Sequence, residues 1–256
     1  MIQSSRPRLR LMSQTPVSLV VGGTSGIGAG VSRLLSARGN TVVVSGSRSE
    51  ADAAPLLADL DRAIYLQADM QEPESPAKLI AAIQAAHGRL DDVIYSAGAT
   101  VKIPHADLEA VTDDVWERIL GMNVVAPWRL VKAAAPALRA SGNGTLTFVG
   151  ALAGVDVGGS SIPYAVSKAA LHHMVKLLGG VLGPEVRINA VAPGLIETPW
   201  TSGDAWDALY DHVREVAPLK RVGRPEDVAE LIVALMKAGY TTGQTVVADG
   251  GLSLIP

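Results

Sequence analysis

The chain has 256 residues, 48% of them hydrophobic but only 4% aromatic, and its 22 Lys and Arg against 25 Asp and Glu leave a net charge of −3. That balance gives no electrostatic case for nucleic acid or an anionic membrane surface, and no stretch reaches the ~18–20 consecutive apolar residues of a membrane span. Zero cysteines exclude disulfides, thiolate catalysis and cysteine-based metal sites, so a cytoplasmic protein is expected, with a core of Val, Leu, Ile and Ala that suits a parallel sheet buried on both faces.

Residues 1–16 carry Arg6, Arg8 and Arg10 but no long apolar stretch, and so do not read as a signal peptide. They are expected to form a disordered arm without function, with Met12 as an alternative start. Residues 17–256 are expected to be a single domain. Within them, apolar β-rich runs at 18–21, 41–45, 63–67, 93–96, 145–149, 186–191 and 245–248 alternate with helical stretches. Such alternation implies right-handed βαβ crossovers and a parallel sheet.

Two motifs carry the chemistry. Directly after the first run comes Gly22-Gly23-Thr24-Ser25-Gly26-Ile27-Gly28, where a glycine loop opening a helix presents backbone N–H groups to a pyrophosphate. Far downstream, Tyr164 and Lys168 lie four residues apart, a spacing that puts phenol and ammonium on one face of a helix predicted over 163–182. Either motif alone is weak, since a glycine loop is often only a tight turn. Together, in this order, they describe a nicotinamide-dependent oxidoreductase. A phenol with a pKa of about 10 exchanges protons poorly near neutrality. The neighbouring ammonium is expected to lower that value, which makes Tyr164 the general acid/base and Lys168 its tuner.

From the glycine loop to its C-terminus the chain resembles the single-domain short-chain dehydrogenase/reductase family. The resemblance implies a Rossmann-like, doubly wound parallel sheet of about seven strands with helices on both faces, and a homotetramer, with a dimer as runner-up. It assigns Gly22, Thr24, Ser25, Gly26, Ile27 and Gly28 to the cofactor phosphates, and Asp69 and Met70 to the adenine side. Ser96, Ala97 and Gly98 stand where the family usually has Asn-Ala-Gly beside the adenine ribose. Pro193, Gly194, Ile196 and Thr198 match the segment at the nicotinamide carboxamide. Tyr164 and Lys168 also face the nicotinamide ribose, and Asn123 matches the asparagine that holds a proton-relay water. NAD-preferring members carry an Asp at the position of Gly46. Here Ser47 and Arg48 follow instead, and a guanidinium can grip a 2′-phosphate as a fork. NADP(H) is therefore favoured over NAD(H).

One position departs from the family. Thirteen residues before Tyr164, where a serine normally orients the substrate carbonyl, stands Ala151. Three readings follow. A hydroxyl from Ser160, Ser161 or the substrate replaces the lost donor in a carbonyl reductase, with alcohol oxidation as the reverse reaction. Alternatively the substrate is an imine or enone, or catalysis is weakened or lost and the chain binds nucleotide for other ends. The segment 193–214 reads as a lid, in which Trp200, Trp206 and Tyr210 either contact substrate or pack the lid down. Leu152, Ile162, Leu195 and Trp200 are expected to line an apolar pocket for a small uncharged substrate. The five histidines, His87, His105, His172, His173 and His212, show no metal-ligand spacing, and no metal is expected.

Overall fold

In a computed structural model that describes residues 15–255, the seven apolar runs are strands: β1 Val17–Val21, β2 Thr41–Gly46, β3 Ala63–Gln67, β4 Asp92–Tyr95, β5 Gly144–Val149, β6 Val186–Pro193 and β7 Thr245–Ala248. They pair in parallel in the order β3-β2-β1-β4-β5-β6-β7. The expected N-terminal arm lies outside the described residues up to position 14. Thr15 and Pro16 belong to the body rather than to that arm: the Thr41 N–H donates to the Pro16 carbonyl at 2.9 Å, and Arg62 donates to the Thr15 hydroxyl at 3.3 Å.

Helices α1 Gly26–Ala37, α2 Glu50–Leu57 and α8 Pro225–Lys237 cover one face of the sheet, and α3 Ser75–His87, α5 Ala126–Ser141 and α6 Ile162–Leu182 cover the other. Strand side chains alternate between these layers, as a pleated strand requires. Leu19, Val43, Val93, Leu146 and Ile188 point toward α3, α5 and α6, whereas Val20, Val42, Val44 and Ile94 point toward α1, α2 and α8. Burial on both faces is why these strands are nearly continuous apolar runs.

The strand order reverses at β1, between β2 and β4, and such switch points open a crevice at the carboxyl ends of the strands. The register levels those ends, because Val21 lies opposite both Ser45 and Tyr95. Three loops therefore leave the sheet side by side: the glycine loop after β1, Gly46–Arg48 after β2, and Ser96–Gly98 after β4. Two further helices, α4 Asp113–Leu120 and α7 Asp204–Val216, flank this edge. Between α4 and α5 the chain widens into a π-helical turn, Gly121–Val125, closed by the Ala126 N–H donating to the Gly121 carbonyl.

Candidate active site

A single cavity of about 1190 Å³ runs along the carboxyl edge of the sheet. Of the residues expected at the cofactor, all but Gly28 line it, as do Ala151, Tyr164 and Lys168. Gly28 acts from beneath. A Cβ there would stand 2.1 Å from the Gly22 carbonyl oxygen, so only glycine lets α1 start this close to the loop. Gly22 itself has φ +72°, and a side chain on it would meet the backbone of Ala97 at 2.7 Å. At the N-terminus of α1, Ser25 makes no side-chain cap. The first N–H groups of that helix face the groove, an arrangement suited to a pyrophosphate. The Thr198 methyl would lie 3.1 Å from a Cβ on Gly26, so the segment after β6 folds back over the glycine loop. The groove thus fits a dinucleotide in shape and in donor chemistry.

At the other end of the cavity stand the reactive side chains. α6 begins at a Ser161 cap whose hydroxyl accepts from the Tyr164 N–H at 3.4 Å, and one turn later the helix presents Lys168. The Lys168 ammonium is 4% exposed, donates to the Val149 carbonyl at 2.9 Å and lies 5.7 Å from the centre of the Tyr164 ring. Burial lowers its pKa to about 8. Trp200 meets the Tyr164 ring edge-on at 6.5 Å.

Comparison with known proteins places this architecture. A family model described as enoyl-(acyl carrier protein) reductase matches residues 21–253. A Streptomyces violaceoruber protein, "Granaticin polyketide synthase putative ketoacyl reductase 2", is 47% identical over 94% of this chain and 98% of its own. The mouse dehydrogenase/reductase SDR family member 4 is 34% identical over 92% of this chain and 86% of its own. The chain belongs to the short-chain dehydrogenase/reductase family. Among solved structures, a Mycobacterium ulcerans short-chain dehydrogenase/reductase superposes with a TM-score of 0.86 at 30% identity, covering 96% of this chain and 92% of that one. The NADP complex of Pseudomonas aeruginosa RhlG gives 0.84 at 28%, covering 93% and 96%. As a family member the chain is an oxidoreductase with the Rossmann-like sheet already described.

Against the family pattern, the structure corrects three expectations. The Tyr164 phenol is pushed up from its ordinary value rather than lowered, and burial is the cause. The ammonium donates to Val149, lies 5.7 Å from the ring centre and does not outweigh the desolvation of a phenolate. Ser161 is fully buried as the α6 cap and does not reach the cavity. Ile162, the first residue of α6, does not line the cavity either, because the turn at that cap sets it outside; Ile103 lines the wall instead.

Asn123 is 1% exposed and sits at the π-helical turn. Its amide oxygen accepts from the Ala99 N–H at 2.8 Å, and its amide nitrogen donates to the Ala99 carbonyl and the Ser167 hydroxyl, both at 2.9 Å. With its side chain committed to these bonds, Asn123 splints the loop after β4 to α6. Ser96 lacks the usual amide, yet its N–H still donates to the Val21 carbonyl at 2.8 Å and extends the β1–β4 pairing.

The aromatic residues of the lid divide their tasks. Trp200 and Trp206 line the cavity, with the Lys102 ammonium 5.0 Å over the Trp206 ring. Tyr210 packs the lid, its hydroxyl 2.9 Å from that of Thr201.

Several contributors escaped sequence reasoning. Tyr65 on β3 donates to the carbonyls of Gly46 at 2.9 Å and Arg48 at 2.6 Å, and Gln67 donates to Ser47 at 2.9 Å, so β3 fixes the Gly46–Arg48 loop. His172 lies under the Ala151 loop. It accepts from the Ala151 N–H at 3.4 Å and stands 3.3 Å from the Gly154 carbonyl, while burial lowers its pKa to about 4. The ring is therefore neutral at pH 7. Nothing local in the sequence signals either long-range contact.

Proposed function

We propose that this protein is an NADPH-dependent reductase of a carbonyl on a small apolar substrate, with alcohol oxidation as the reverse reaction. One observation carries the reading: Tyr164 and a buried Lys168 stand at one end of a cavity whose other end is a dinucleotide groove. The granaticin relative, named as a ketoacyl reductase, supports the same substrate class. When bound, the reduced nicotinamide supplies the hydride. Tyr164, protonated at neutral pH, holds the proton that the substrate oxygen takes up as the carbonyl becomes an alcohol. Lys168 offsets the phenolate charge left behind. Trp200, Leu152 and Ile103 enclose the apolar part of the substrate. The preference for NADPH rests on Gly46, Ser47 and Arg48 at the groove, with glycine rather than a carboxylate at position 46. The NADP bound to RhlG supports it. Titration by nicotinamide fluorescence should show tighter binding of NADPH than of NADH; the opposite order overturns the preference.

Ala151 favours a second reading, reduction of an enone or imine, in which no serine is needed at the carbonyl; the description of the matching family model names an enoyl reductase. Initial rates of NADPH oxidation over ketones, aldehydes, enones and imines, for this protein and Ala151→Ser, separate the two. The carbonyl reading expects ketone reduction by both proteins at rates within about tenfold, well inside the 10²–10³ that loss of an oxyanion donor costs. Ketone reduction by the serine variant alone, with the unaltered protein active on enones or imines, selects the second.

For assembly, we propose a homotetramer, with a dimer as runner-up. α6 leaves Val166, Leu177 and Val181 exposed, and Trp128 on α5 is 47% exposed.

A further inference from the structure

With Ala151 in place of a donor, the substrate oxygen needs a hydrogen bond from elsewhere. Among the described residues that line the cavity away from the cofactor segments, the hydroxyls besides Tyr164 belong to Thr100, Ser160 and Thr201. Thr201 donates to the Ile196 carbonyl at 2.6 Å. Thr100 and Ser160, from the loop after β4 and the loop before α6, hydrogen-bond each other side chain to side chain. Both loops are pinned. The Ile103 N–H donates to the Ser160 carbonyl at 2.8 Å, and the Asn123 amide grips both the N–H and the carbonyl of Ala99, next to Thr100. Gly159, beside Ser160, approaches the general acid: a Cβ built on it would lie 3.5 Å from Tyr164 Cδ1.

Two hydroxyls that share one hydrogen bond carry two protons. One is held between the oxygens, and the other is left to the cavity. The hydroxyl that donates to its partner makes that partner's own proton a stronger donor, and the pinned loops hold it in place before the substrate arrives. Resting on the carbonyl-reduction reading above, we infer that the Thr100–Ser160 pair supplies the hydrogen bond to the substrate oxygen that the family's serine usually gives. Asn123 is then a positioning residue for this pair.

The test measures kcat and KM on a ketone, together with NADPH affinity by fluorescence, for Ser160→Ala, Thr100→Val and the double variant, each with and without Ala151→Ser. At least one single substitution should lower kcat on the order of 10²-fold and leave NADPH affinity within about twofold. The double should be no worse than the worse single, since the two hydroxyls act as one unit. Ala151→Ser should restore the double variant, and Ser160→Thr should stay active. Unchanged kcat in both singles overturns the pair while leaving the carbonyl reading intact. So does a fall in NADPH affinity that accounts for the whole loss. If every protein binds NADPH and none reduces a ketone, Ala151→Ser included, the pair and the carbonyl reading fall together.

Discussion

Burial shifts Lys168 and Tyr164 in opposite directions, yet each keeps at pH 7 the protonation state that reduction needs. Desolvation raises the phenol, so Tyr164 keeps its proton across the neutral range, and it lowers the ammonium to about 8, so Lys168 is still charged at pH 7. The charged form of Lys168 is lost as pH rises through that value. Reductive kcat/KM, which reports the groups of the unbound enzyme, should therefore be level from about pH 6 to 7.5 and fall above about 8. A profile that is level to pH 10 contradicts this role for the lysine. The pair itself was legible because helical spacing is local. That Ser47 and Arg48 line the groove was legible, but not the grip of Tyr65 and Gln67 on their loop. Nor could the sequence reveal that Ser161 is spent as a helix cap while Ser160 meets Thr100, a residue sixty positions away. Such partners are set by tertiary contact, which no local pattern encodes.

At the level of elements, the loop from Gly150 to Gly154 is clamped between β6 and α6. Its Gly150 N–H donates to the Val191 carbonyl at 2.7 Å, and a Cβ on Gly150 would overlap His172 Nε2 at 2.0 Å. Gly150→Ala should therefore cost about 1–3 kcal/mol in urea unfolding, the usual penalty of overpacking a tight site; a cost near zero would mean that the loop and α6 are not held together as described. His172 adds a pH dependence to the same contact. Its folded pKa, about 4, lies below its ordinary 6.5, so between those values the unfolded chain binds more protons. Its contribution to stability is thus complete above pH 6.5 and declines as pH falls toward 4. The Tm of the unaltered protein should drop more steeply over that range than that of His172→Gln, which keeps an acceptor but does not titrate. Parallel curves would remove His172 from this account. The strands were readable because the central ones are buried on both faces and read as apolar runs, and the observed ends of the seven differ by at most two residues. The π-helical turn at Gly121–Val125 was not, since Gly-Met-Asn-Val-Val between two helical patterns looks like continuous helix.

On the scale of the molecule, the reversal of strand order at β1 gathers three loops into one groove, and α6 links that groove to the outer surface. One edge of α6 holds Tyr164 and Lys168, while Val166, Leu177 and Val181 on the same helix are exposed. If α6 forms a subunit interface, light scattering at micromolar concentration should give a tetramer, or failing that a dimer; a monomer contradicts the proposed assembly. Among the described residues no helix is long and apolar enough to cross a membrane. The lining of the groove was legible almost residue by residue, because its glycines answer to close backbone approach. The substrate end was legible only in part: Leu152, Leu195 and Trp200 line the cavity as expected, but its walls come from several separate segments, and residues such as Lys102, Ile103 and Arg118 join it only in the fold.

The central claim is that Tyr164 protonates a carbonyl oxygen in this cavity although the usual serine is absent. The most direct measurement is NADPH-dependent reduction of a ketone by the unaltered protein and by Tyr164→Phe, at equal cofactor saturation. The account expects reduction by the first and a loss of about 10²–10⁴-fold in kcat for the second, the usual worth of a positioned general acid. Equal rates in the two proteins would contradict it.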